Sequence, residues 1–121
     1  MTKIVVCEDD PMIRKLIQAA LRSTAHEVQF AEDGAACVAL IEKVRPDVVF
    51  SDVSMPEMDG FEVADALHAR PDIAHTPIVF MTASVQRDEV EECFRHGAAG
   101  HLGKPFSMTE FRARIAQFAK S

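Results

Sequence analysis

Two adjacent carboxylates, Glu8 and Asp9, follow the first apolar run of the chain, and a third, Asp52, closes a later run beginning Val48-Val49-Phe50. Thr82 ends a further run, Ile78 to Met81, and Lys104 follows a short last one, Gly100-His101-Leu102. If these runs are neighbouring strands, all five side chains converge on one crevice. Carboxylates from adjacent strands repel at close range, so their crowding costs stability unless a cation sits among them. A small set of oxygen ligands favours Mg2+, which keeps several of its waters; Ca2+ takes more ligands, and the sequence has no EF-hand loop. Taken singly, the same residues are ordinary. Asp10 reads as a helix cap, Asp52 as a turn aspartate, Thr82 as a strand residue and Lys104 as a solvated lysine. Pro105 after Lys104 points to a constrained loop with room for a cis bond. The functional reading rests on convergence.

The elements that must bring them together are legible from period. Ile4-Val5-Val6-Cys7 is an unbroken apolar run, and Ile13, Leu16, Ile17, Ala20 and Leu21 then share one helical face, with Asp10 as cap and Pro11 in the first turn. Val28-Gln29-Phe30-Ala31 half-alternates, and Cys37, Leu40, Ile41 and Val44 share a face after Asp33-Gly34. A third strand precedes a helix from about Asp59 that Pro71 must close. A fourth precedes a helix from about Gln86 to His96, with Gly97 just past its end. Ser107-Met108-Thr109-Glu110 forms a capping box for a last helix carrying Phe111, Ile115 and Phe118. Five βα units fill residues 1–121 as a single α/β domain. Parallel strands covered on both faces should be apolar throughout, as strands one, three and four are. Strands two and five belong at the edges, giving order 2-1-3-4-5 with right-handed crossovers. Strand order then reverses between strands one and three, where ligands bind beyond the carboxyl ends.

Composition narrows the classes. With 48% hydrophobic residues the 121-residue chain can build a core, so disorder is excluded as its main state. The net charge of −6, from 13 basic and 19 acidic residues, argues against direct nucleic-acid binding by this domain. No run is long enough to span a bilayer and no secretory leader is expected, which gives a cytoplasmic reading. Cys7, Cys37 and Cys93 are widely spaced, with no CxxC, and are expected as buried free thiols. His96 complements a helix C-terminus, and His26, His68 and His75 read as loop or surface positions. Asp88, Glu89, Glu91 and Glu92 read as a solvated face that can double as a partner surface.

Glu8-Asp9-Asp10, the stretch Asp52-Val53-Ser54-Met55-Pro56-Glu57-Met58-Asp59-Gly60, Thr82-Ala83-Ser84 and Lys104-Pro105-Phe106 resemble the receiver domain of bacterial two-component response regulators over the whole chain. The resemblance implies a flavodoxin-like (βα)5 fold. It implies that Asp52 accepts a phosphoryl group from a histidine kinase or phosphotransfer protein, with Mg2+ held by Asp9, Asp52 and the Ser54 carbonyl and Glu8 acting through water. Such a domain is a signalling module that assists its own phosphorylation and dephosphorylation, not an enzyme in the ordinary sense. An aspartate placed in line is a competent nucleophile for this transfer. Lys104 would pair with the phosphoryl group and Thr82 would hydrogen-bond it, biasing a protein-binding surface of helix four, strand five and helix five.

The chain departs from the pattern at His101, where relatives usually carry Tyr or Phe. This makes His101 either a proton-sensitive switch element, since imidazole ordinarily titrates near pH ~6.5, or an exposed edge-strand residue. Ser54 and Ser84, two past Asp52 and Thr82, occupy positions that vary with the lifetime of the acyl phosphate. Competing classes fit less well. A haloacid-dehalogenase-type phosphatase would place a second Asp where Ser54 stands, and a dinucleotide module would need a Gly-rich loop where Glu8-Asp9-Asp10 stands. A phosphorylation-deficient scaffold would be expected to lack some of the five site residues.

Overall fold

The computed structural model describes residues 2–55, 57–83 and 86–118. Pro56 and Ser84 of the motif stretches lie outside them. Strands β1 (Lys3–Cys7), β2 (Glu27–Ala31), β3 (Val48–Asp52), β4 (Ile78–Thr82) and β5 (Gly100–Gly103) alternate with helices α1 (Pro11–Leu21), α2 (Gly34–Val44), α3 (Gly60–His68), α4 (Arg87–Arg95) and α5 (Met108–Phe118). The strands form one sheet in order β2-β1-β3-β4-β5, every pair parallel. β3 and β4 are buried at every residue and β1 at every residue after Lys3, as befits the central strands of a parallel sheet covered on both faces.

Strand alternation divides the interior in two. Ile4, Val6, Phe50, Val79 and Met81 face α1 and α5, meeting Ile17, Leu21, Phe111 and Ile115. Val5, Cys7, Val49, Ile78 and Phe80 face α2, α3 and α4, meeting Ile41, Val63, Leu67 and Cys93. Phe111 stacks at a tilt on Phe50, ring centroids 4.5 Å apart, and docks α5 against the middle of the sheet.

Helix starts follow their caps. Asp10 accepts from Met12, Asp33 from Ala36, and Asp59 and Glu62 form a reciprocal capping box. Ser107 and Glu110 form the box expected for α5. Gly97 ends the fourth unit at φ 82°, a conformation that glycine adopts without a Cβ clash.

One expectation is corrected. Cys7 and Cys37 are joined as a disulfide, with Cα atoms 5.7 Å apart, while Cys93 is the free buried thiol among the described residues. The cause is packing: Cys7 points from β1 into the same interior as the first turn of α2, a separation within disulfide reach. No helix among the described residues is long and apolar enough to cross a membrane.

Candidate functional site

The carboxyl ends of the strands are tied together by backbone hydrogen bonds that run past the ladders. Glu8 donates to Ala31, Val53 to Met81, Gly60 to Val53 and Lys104 to Thr82. Three loops are thus fixed relative to one another before any side chain is considered. Gly60 is required at its position by space, since a Cβ there would sit 2.3 Å from the carbonyl oxygen of Asp52.

On this frame Glu8, Asp9 and Asp52 each bring one carboxylate oxygen within 4.8 Å of the others. Glu8 is fully buried, Asp52 nearly so, and Asp9 is exposed. Lys104 places its Nζ 2.6 Å from Glu8 Oε1 and 2.9 Å from Asp52 Oδ2, joining the last βα unit to the first and third. The other oxygen of each acid also has a donor. Asp10 N–H donates to Glu8 Oε2 at 3.2 Å, and Ser54 N–H to Asp52 Oδ1 at 3.3 Å. The Arg14 guanidinium grips the Glu8 carbonyl at 2.8 Å.

Burial pushes the Glu8 carboxyl up to about 7, against the opposing pull of Lys104 and the Asp10 N–H. Burial also works against the Lys104 charge, but its hydrogen bonds to Glu8 and Asp52 outweigh burial and hold its pKa above the ordinary lysine value. Beside the acids an open cleft of about 480 Å3 is lined by Asp9, Val53, Ser54, Met55 and Asp59. The clustered hard-oxygen donors and the open approach on the Asp9 side suit a small divalent cation with waters of its own.

Glu8, Asp9, Asp52 and Lys104 thus lie together at one rim, with the Ser54 backbone N–H on Asp52. Thr82 is at the site by its backbone, but its hydroxyl donates to Glu89 Oε1 of α4 at 3.3 Å. Ser84 lies outside the described residues. His101 is half-buried on β5, its ring edge-on to Phe94 with centroids 6.0 Å apart. Two contributors were missed by reading the sequence. Asp59, taken only as a helix start, also lines the cleft. Glu89, taken as part of a solvated face, turns inward; its signal was the four-residue spacing to Cys93, which shares its helix face.

The response regulator receiver domain family matches residues 4–116, and the chain belongs to that family. It is 34% identical over 115 residues to the DNA-binding dual master transcriptional regulator RpaA of Synechocystis sp., an alignment covering 95% of this chain and 48% of that protein. The chain spans about half the length of the curated response regulators it matches. Chemotaxis response regulator CheY4 of Vibrio cholerae shares the fold with a TM-score of 0.91 and 32% identity, over 98% of this chain and 99% of that one. The receiver domain of sensor histidine kinase PA1611 from Pseudomonas aeruginosa PAO1, with a magnesium ion in its active-site cleft, gives a TM-score of 0.88 and 28% identity, over 97% and 96%.

Proposed function

We propose that Asp52 is the phosphoryl acceptor of this receiver domain. The observation that carries the reading is the Asp52 carboxylate at the end of a central strand, with two further acids within metal-ligand range and the Lys104 ammonium on one of its oxygens. In the transfer one Asp52 oxygen forms a bond to phosphorus as the phosphorus–nitrogen bond of a donor phosphohistidine breaks, and the freed imidazole takes a proton from water. Lys104 stays within reach of the transferred group and balances its charge. The Ser54 N–H holds the carboxylate in one orientation. Asp9, Asp52 and the Ser54 carbonyl would hold Mg2+, with Glu8 acting through water; the ion supplies neutralisation of charge on the phosphoryl oxygens.

The donor is a histidine kinase or a phosphotransfer protein. It approaches across an apolar cleft lined by Ile13, Leu16, Pro105 and Phe106, which is continuous with the site through Lys104. Output runs through the face of α4, β5 and α5, where Phe94 is exposed and packs on His101. The acidic charge of this domain argues against its own contact with nucleic acid. The domain assists both gain and loss of its phosphoryl group, and the short side chain of Ser54 leaves water an approach to Asp52.

The test is intact-mass measurement after incubation with phosphoramidate or acetyl phosphate and Mg2+. A phosphoryl adduct is expected on the wild type and not on Asp52→Asn; equal adducts on both overturn the assignment.

A further inference from the structure

In α3 and α5 the glutamate at the third helical position closes a capping box, Glu62 with Asp59 and Glu110 with Ser107. In α4 the glutamate at the same position, Glu89, accepts a hydrogen bond from the Thr82 hydroxyl. Thr82 is 1% exposed and ends β4 on the same strand face as Ile78 and Phe80, the face covered by α4. Cys93, one turn beyond Glu89, is fully buried, and burial first and the Glu89 charge second push its thiol pKa up. The Glu89 carboxylate therefore acts on the interior side of α4.

We propose that Glu89 is a positioning residue that holds the Thr82 hydroxyl on α4 while Asp52 is unmodified, so that capture of Thr82 by a phosphoryl group must break this bond and release the first turn of α4. The proposal rests on the reading of Asp52 as acceptor. A hydroxyl donates one proton at a time, so Thr82 cannot donate to Glu89 and to a phosphoryl oxygen together. A bond made in only one of two states shifts the equilibrium toward that state, and its removal tightens any ligand of the other by the same factor. Glu89 thereby sets how readily the α4 surface responds to a given degree of phosphorylation.

The test uses beryllofluoride with Mg2+ as a non-covalent mimic of phosphorylated Asp52. The chain has no Trp or Tyr, so binding is followed by amide and Thr82-methyl NMR. Glu89→Ala is expected to bind the mimic about fivefold more tightly, at the lower end of usual coupling between sites. Glu89→Gln keeps an acceptor and should fall between it and the wild type. In a Thr82→Ala background the Glu89→Ala gain should vanish, since the coupled partner is gone. The same gain in both backgrounds, or none with Thr82 present, overturns the proposal while the acceptor assignment stands. Failure of the wild type to bind the mimic overturns the acceptor assignment, and the proposal with it.

Discussion

Glu8 is the residue whose behaviour differs most from that of its type in water. Its folded-state carboxyl titrates at about 7 against an ordinary 4.5, because burial penalises the charge more than Lys104 relieves it. The metal-free folded chain therefore keeps a proton that the unfolded chain releases. The stability associated with that proton is fully present below pH 4.5 and is lost as pH rises through about 7. In EDTA, the stability of the wild type relative to Glu8→Gln should fall across this window, as read by urea unfolding at a series of pH values. Parallel pH profiles would show that folding leaves the Glu8 carboxyl unshifted. Glu8 and Asp9 are neighbours in sequence with opposite environments, one sealed under Lys104 and the other open to the cleft. That difference supports the division in which Asp9 touches a cation and Glu8 acts through water.

At the scale of elements, α3 begins in contact with the backbone of the acceptor. Because a Cβ at Gly60 would fall 2.3 Å from the Asp52 carbonyl oxygen, Gly60→Ala must push the helix start away from β3. The expected loss is about 1–3 kcal/mol, the usual cost of overpacking a filled interior. The midpoint of urea unfolding measures it. Phosphoryl uptake from a small-molecule donor should slow in the same variant, because Val53 is bonded to Gly60 and shifts with it. The elements themselves were legible: apolar runs marked β1, β3 and β4, and Asp10, Asp33, Asp59 and Ser107 marked helix starts. The converging acids were legible because parallel βα order sends every strand end to the same rim. The direction of the Thr82 hydroxyl was not, since a strand residue at the rim can turn toward the loops or toward a helix. The joining of Cys7 to Cys37 was not either, since it depends on how closely α2 packs on β1, and spacing along the chain carries no record of that distance.

For the molecule as a whole, three acids gathered at one rim give the folded state a candidate cation site that the unfolded chain lacks, and the proposed function puts Mg2+ there. Millimolar Mg2+ should raise the melting temperature by mass action, with about 2.7 kcal/mol gained when the ion is at a hundred times its Kd. Circular dichroism melts with Mg2+ and with EDTA check this, and Asp9→Ala should lose most of the shift. An unchanged melting temperature in the wild type would remove the cation from the mechanism. The ion pairs made by Lys104 have a further consequence in biosynthesis. They span 96 and 52 positions of sequence, so the cation that quiets Glu8 and Asp52 is supplied by the fifth βα unit, the last of the five to be made. A nascent chain that has made only four units presents its acids without their lysine and without the loop that seals Glu8. The paired arrangement of the site thus arises only once the fifth unit has docked beside the first and third.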